Sequence, residues 1–468
     1  MVRQEVAART PSARSKGSTH AFDPLRRCLG CPTTHCVPGN DLPISEFFRR
    51  VRAFTSALVA PLEPGDFEAQ SMPDASPAKW HLAHTTWFFE KFVLEPFEPK
   101  FREYHPKFGY LFNSYYNAVG ERQLRSERGL LSRPSLTTVH DYRTQVDQRV
   151  QDLIRVADAG DPAVATEIGK RTELGCHHEQ QHQELLLTDI KHLFSRSALA
   201  PVFLPERQAS TSALPGARPI TFNHFDGGLF NIGHQGAGFS YDNEGPVHQT
   251  FLQPFSVASR VVTNAEFAEF IQDEGYWRAE LWLDAGYSTA RSQGWDKPLY
   301  WRGDARERSE YTLHGERELR LSEPVCHVSF YEADAFARWA GARLAREAEW
   351  EVAARRTPAV SRYGQLVDGL RFHPQAADAT EASAGESSGV GRCLGDTWEW
   401  TQSAYAPYPG YRPAPGALGE YNGKFMINQM VLRGGSCVTS KDHIRFSYRN
   451  FFYPQDRWQF SGIRLAKD

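Results

Sequence analysis

The sequence predicts a multidomain α and α+β molecule: a four-helix bundle over residues 43–195, then an α+β domain with much irregular structure over 219–468. Three observations carry that expectation. Apolar residues recur at helical spacing through the first part and cease to do so near Ser195. Residues 196–218 have linker composition. Beyond them, short strand-like pieces alternate with Gly-rich turns. At 468 residues the chain also exceeds one ordinary domain.

Residues 1–42 are expected to be a disordered tail. The first 27 hold six Lys/Arg against two acids and lack the apolar core of a secretory signal. Cys28-Leu-Gly-Cys31 with His35-Cys36 admits a zinc-knuckle reading, but the spacing is irregular and no second pair follows. The first bundle helix places Ile44, Phe47, Phe48, Val51, Phe54 and Leu58 on one face. The second starts at Ser76-Pro77, with Ser as N-cap and Pro at the first helical position, and runs to about Leu94. A third follows Pro134 with Val139, Tyr142, Val146, Val150 and Ile154 buried. The fourth opens near Asp161-Pro162 and reaches about Phe194, with a break expected at Gly169 or Gly175. About 28 residues rich in Gly, Tyr, Asn and Arg separate the second and third helices; a loop that long is usually functional. In the second domain, strands are expected at Pro219–Phe222 and Gln249–Leu252, and helices at Asn264–Asp273 and Tyr331–Ala340.

Composition excludes several function classes. With 41% hydrophobic and 23% charged residues, the chain is globular and not disordered overall. A net charge of -3 advertises neither nucleic acid nor an anionic membrane. The longest apolar runs, such as Thr86–Phe89, cannot span a bilayer. Seven thinly spread cysteines suit reduced thiols in the cytoplasm better than a disulfide framework.

The sharpest local feature is Cys176-His177-His178-Glu179-Gln180-Gln181-His182. His178 and His182, four apart on a helix, project from one face. The second helix adds His81 and His84, and His84 shares the core-facing side with Trp80, Trp87 and Phe88. A lone core histidine is usually just hydrogen-bonded; three inward histidines on two helices point to a shared divalent metal. Imidazole ligation admits zinc, iron, copper or nickel. His178-Glu179-x-x-His182 is also the zinc-hydrolase pattern, with Glu179 as general base on a metal-bound water. Whether Glu179 faces the metal separates the two readings. In the long loop, Tyr115 and Tyr116 precede Arg122, Arg125 and Arg128. Either the tyrosines pack and the arginines are solvated, or a phenol supplies a proton or electron while guanidiniums hold a carboxylate.

From about residue 45 to the end, the sequence resembles the bacterial ergothioneine-biosynthesis sulfoxide synthases of the EgtB type. The segments that carry the likeness are Ser71–Glu90, Asn113–Gly120, His178–Asp189, Gly395–Thr401, Glu420–Phe425, Val431–Ser436, Tyr448–Phe452 and Trp458–Arg464. The resemblance implies a DinB-like four-helix bundle followed by a domain of the formylglycine-generating-enzyme type, a variant of the C-type lectin fold. It implies Fe(II) held by His84, His178 and His182. The substrates would be hercynine, O2 and either cysteine or γ-glutamylcysteine. Gln181 would hydrogen-bond the hercynine imidazole, while Asn450 and Phe451 hold its amino-acid end. Arg125 and Arg128 would clamp the thiol donor's carboxylate, and Phe452 would line the thiol pocket. The catalytic phenol would be Tyr116, with Tyr115 beside it.

Trp398, Trp400, Trp458 and Phe460 are expected in the core and Arg464 in a structural ion pair. Ala345–Trp350 departs from the family's Leu-Pro-Thr-Glu-Ala-Glu-Trp, losing a Pro and a Thr cap at a helix start. The cysteine pair that binds copper in true formylglycine-generating enzymes is not evident, so that activity is not expected. Rival readings are a selenoneine synthase using a selenosugar, a zinc hydrolase, and a metal-free bundle joined to a lectin-like binding module.

Overall fold

The computed structural model of the chain describes residues 23–29, 42–206, 219–304, 307–377 and 390–468. Four helices form the bundle: Ile44–Val59, Ala78–Phe89, Leu136–Asp158 and Pro162–Ser195. The first buries Phe47, Phe48, Val51, Phe54 and Leu58, the positions the periodicity picks out. Ser135 caps the third by accepting the Thr138 N–H, and Val139, Tyr142, Val146, Val150 and Ile154 face inward. Asp161 caps the fourth through the Ala163 N–H, with Pro162 at the first position.

Three local expectations need correction. The second helix begins at Ala78, and Ser76 does not cap it. The Ser76 hydroxyl accepts instead from Arg128, and its N–H donates to Asp189. After Phe89 this helix widens into a π-turn over Glu90–Leu94. Every residue from Ala78 to Phe89 is buried, so the helix is the bundle's central rod, packed on the third and fourth. The fourth helix does not break at either glycine. A Cβ at Gly175 would lie 2.4 Å from Phe89 Cε1, so this glycine serves close helix approach, whereas nothing lies within 4 Å at Gly169. Gly175→Ala should therefore destabilise the protein by about 1–3 kcal/mol. Gly169→Ala should stabilise it by up to about 1 kcal/mol. Equilibrium denaturation of both variants checks the contrast.

The expected tail is not wholly without structure. Asp23–Leu29 forms a short helix against Ile44–Val59, with Leu25 buried in the common core. An Asp-Pro start and one apolar anchor account for it. The rest of residues 1–41 lies outside the described residues, as do Cys31, Cys36 and the Cys28 side chain, and with them the zinc-knuckle reading. The expected linker is packed at its start: the N–H groups of Phe203 and Leu204 donate to the Leu313 carbonyl and both side chains are buried.

The second domain is built on two four-stranded sheets. In the first, Phe222–Phe225, Phe255–Ala258, Leu465–Lys467 and Arg343–Leu344 lie side by side, so the domain's first and last strands share one sheet. In the second, the order is Asn450–Phe452, Met430–Arg433, Trp398–Ala404 and Ser461–Gly462. Helices Asn264–Gln272 and Phe330–Trp339 start at capping boxes, Thr263 with Glu266 and Ser329 with Glu332. Two helices went unpredicted from periodicity, Asp284–Ser292 and Glu347–Arg356. The second starts without its Thr cap, yet Glu349 accepts the Arg346 N–H at 2.8 Å and is held by Arg343, which retains half of a capping box. Trp398, Trp400, Trp458 and Phe460 are buried, and Arg464 pairs with Glu399 at 2.7 Å.

The two parts meet along one stripe of the fourth bundle helix. His177 reaches His443, Gln180 reaches Asp442, and Gln181 reaches Tyr448. Glu184 accepts from Trp398, Ser436 and Thr439, and Lys191 meets His327. The 177, 181, 184, 191 spacing is one helical face. No helix among the described residues is long and apolar enough to cross a membrane.

Candidate metal centre

His84 stands on the central helix; His178 and His182 stand one turn apart on the fourth. A ligand-capable atom from each lies within 4.8 Å of the others. The Nδ1–H of His84 donates to the Phe112 carbonyl at 2.6 Å, which leaves the lone pair on Nε2, 3.2 Å from His178 Nε2. Trp80 lies flat on His84, with centroids 4.5 Å apart and planes 8° from parallel, and Phe88 packs on His178 at 4.5 Å. His182 is the partly open member of the trio. Burial holds the rings neutral: His178 is pushed down to about 3, and His84 and His182 well below the usual imidazole range, helped by the neighbouring imidazoles. Neutral imidazoles with inward lone pairs are the donor set that a borderline divalent cation takes, so the residues present fit a metal.

Glu179 decides against the hydrolase pattern. Its carboxylate is fully buried and accepts from Thr55 at 2.6 Å, Arg143 at 2.6 Å and Arg52 at 2.8 Å. These partners come from the first and third helices, and Glu179 is not among the residues whose ligand-capable atoms gather with the histidines. Burial raises the carboxyl's pKa, but the two guanidiniums and Thr55 outweigh it and hold it near about 2. A group so clamped and so acidic neither reaches nor deprotonates a water at the metal. The zinc-hydrolase reading is corrected accordingly.

The remaining predicted residues divide into those near the histidines and those apart. Tyr116 is fully buried against Trp87, Phe88 and Phe92, and the Tyr115 ring lies tilted beside it with centres 4.7 Å apart. Arg128 is buried with its guanidinium carbon 3.4 Å from the Trp80 ring centre, so guanidinium, indole and the His84 imidazole form one stack. It donates to Ser76, while its Nε has no partner. Desolvation and the Arg125 charge depress its pKa, the signature of a cation wanting an anion. Arg125 is exposed and donates to the Asp74 carbonyl. Gln181 donates to the Tyr448 hydroxyl at 2.7 Å and accepts from Tyr421. Phe451 stacks on Tyr405 at 4.1 Å and connects to Tyr115 through Phe425. The hydrogen bonds and ring contacts of Asn450 and Phe452 do not reach the histidines: Asn450 accepts the Phe451 N–H, and Phe452 faces Trp458.

Sequence reasoning missed two phenols. Tyr421 packs edge-on to His178 at 5.5 Å and stacks on Tyr241 at 5.3 Å. Tyr448 joins Gln181 to His443. Both come from the second domain, in the segments Glu420–Phe425 and Tyr448–Phe452 that carry the family likeness, which did not itself mark these two phenols as site residues.

Comparison with known proteins agrees with this architecture. Residues 48–186 match the DinB superfamily, and residues 221–468 match the sulfatase-modifying factor enzyme 1-like domain. The chain is 33% identical over 443 residues to a hercynine oxygenase from Mycobacterium tuberculosis, covering 90% of this chain and 97% of that protein. The chain belongs to the hercynine oxygenase family. A second hercynine oxygenase, from Mycolicibacterium smegmatis, is 31% identical over 87% of this chain and 94% of its own length. A formylglycine-generating enzyme from Streptomyces coelicolor is 30% identical, but over only 57% of this chain and 96% of that protein. Membership in the hercynine oxygenase family makes this chain an oxidoreductase of the oxygenase type. That excludes reading the molecule as a binding module without enzymatic activity.

Proposed function

We propose that the chain is an Fe(II)- and O2-dependent sulfoxide synthase of ergothioneine biosynthesis, joining the sulfur of cysteine, or of γ-glutamylcysteine, to the imidazole carbon of hercynine. The overall change balances: a thiol, an imidazole C–H and O2 become a C–S(O) linkage and water. The observation that carries this reading is the convergence of three neutral imidazoles, His84, His178 and His182, beside phenols and an unpaired buried guanidinium. Fe(II), when bound there, would supply stepwise reduction of O2, which zinc does not offer.

The chain's own residues hold and orient the reactants. Arg128, aided by Arg125, binds the thiol donor's carboxylate; its lack of a carboxylate partner supports that role. Gln181 presents its amide to the hercynine imidazole, held by Tyr421 and Tyr448. Asn450 and Phe451 receive the amino-acid end, where aromatic faces suit a trimethylammonium group. Phe452 lines the thiol pocket and, lacking an acid, favours cysteine over γ-glutamylcysteine. Tyr116 and Tyr115 hold the proton that the reaction needs, and burial keeps both phenols protonated at neutral pH. The free buried cysteines Cys176, Cys326, Cys393 and Cys437 agree with a cytoplasmic protein.

The test is anaerobic Fe(II) loading followed by hercynine, O2 and each donor, with products identified by mass. Sulfoxide from cysteine at lower half-saturation than from γ-glutamylcysteine supports the reading; the reverse order overturns the donor assignment. Turnover with a selenosugar alone would replace it. Tyr116→Phe is expected to bind Fe(II) normally and to divert turnover to cysteine sulfinic acid. Full sulfoxide yield from both Tyr116→Phe and Tyr115→Phe would remove the tyrosine pair from the mechanism.

A further inference from the structure

Beside the histidine trio lies a fourth inward histidine with no assigned role. His81 precedes His84 by three residues on the central helix and is 3% exposed. Its Nε2 lies 3.0 Å from Asp189 Oδ2, and its Nδ1 lies 2.9 Å from His182 Nδ1. Asp189 stands seven residues beyond His182 on the fourth helix, so it sits on the same face two turns on. The same Asp189 oxygen also accepts the Ser76 N–H at 2.8 Å, which fixes the carboxylate where the chain enters the central helix.

The proton positions follow from the partners. A carboxylate only accepts, so His81 carries its hydrogen on Nε2 and its lone pair on Nδ1. The 2.9 Å contact between the two Nδ1 atoms then needs the hydrogen of His182. His182 is thereby held with Nδ1 protonated and Nε2 free. The Asp189 charge, passed through two imidazoles, also makes His182 a better electron donor. Outer partners of this kind fix a ligand's tautomer and raise its basicity. His84 meets the same need through the Phe112 carbonyl, whereas no partner is present at His178 Nδ1.

We infer that Asp189 and His81 form a relay of positioning residues that sets the tautomer, orientation and donor strength of His182. This rests on the proposed three-histidine centre. The relay bridges the two helices that carry the ligands, so it locks their rotation as well as the ring.

The experiment is anaerobic Fe(II) titration of the full chain against a competing chelator, with circular dichroism confirming the fold of each variant. His81→Phe fills the site but gives His182 no acceptor, and should weaken Fe(II) binding about 10–100-fold. His81→Gln, which offers an acceptor oxygen to His182 and a donor to Asp189, should recover most of that loss. Folded His81→Phe binding iron as the wild type does would overturn the relay, and so would His81→Gln as weak as His81→Phe. Asp189→Asn keeps the shape and removes the charge, so it should raise the reduction potential of the bound iron; an unchanged potential would also overturn the proposal. Failure of the wild type itself to bind iron would bring down the three-histidine reading and this inference with it, an outcome distinct from failure of the variants alone.

Discussion

His178→Ala should lose Fe(II) binding and, with it, oxygen-dependent turnover, while His177→Ala, one residue earlier, should keep the metal. The two side chains differ by one step of about 100° around the fourth helix, and the structure turns them to different tasks. His178 faces His84 Nε2 at 3.2 Å and is packed by Phe88. His177 instead stacks on Phe239 at 3.9 Å and meets His443 Nδ1 at 3.0 Å, in the seam between the two parts of the molecule. Losing a ligand should cost more than losing an outer partner, so the expected drop in affinity for His178→Ala exceeds about 100-fold. The cavity left by the ring also costs some stability, so binding is compared at a temperature where far-ultraviolet dichroism shows both variants folded. Equal affinity in the two variants would mean that the metal is held elsewhere, and the neutral trio would then be packing alone.

What could be read in advance, and what could not, follows from the range over which each signal acts. The bundle was legible because helical periodicity is local: Val139, Tyr142, Val146, Val150 and Ile154 announce a buried stripe without reference to any other part of the chain. The two-histidine pattern of His178 and His182 is local for the same reason. Tyr421 and Tyr448 were not legible as site residues, because their approach to His178 and Gln181 depends on how an irregular domain docks more than 200 positions away in sequence. Gly175 misled, since a helix-weakening residue by propensity is kept here by the Phe89 ring. Glu179 misled for a related reason. A five-residue motif specifies spacing on a helix but not rotation, and the rotation is set by Arg52, Thr55 and Arg143, which lie on other helices.

Glu179 also carries the largest expected effect on stability. Arg52 is 3% exposed and Arg143 4%; besides Glu179, Asp147 supplies a carboxylate, 2.6 Å from Arg52. Glu179→Ala would leave two buried guanidiniums short of an acceptor, and removing one partner from a buried ion pair costs about 3–5 kcal/mol. That is a large part of the 5–15 kcal/mol by which a typical domain is stable, so the variant should unfold at markedly lower denaturant concentration. Glu179→Gln, which keeps the acceptor oxygen but loses the charge, should fall between the two. The pH dependence has the same origin. Because the two guanidiniums hold the folded carboxyl at about 2, below the ordinary glutamate value of 4.5, its stabilisation is complete above about 4.5 and is lost as pH falls towards 2. That loss amounts to roughly 3 kcal/mol, and a Glu179→Gln variant should show a flatter acid limb in denaturation curves collected between pH 5 and about 2. A hydrolase would behave in the opposite sense, because its general base can be replaced by glutamine at little cost in stability while turnover collapses. Glu179→Gln that is as stable as the wild type but bound to metal and inactive would therefore return Glu179 to the chemistry, against the clamp of Arg52, Arg143 and Thr55 that holds it away.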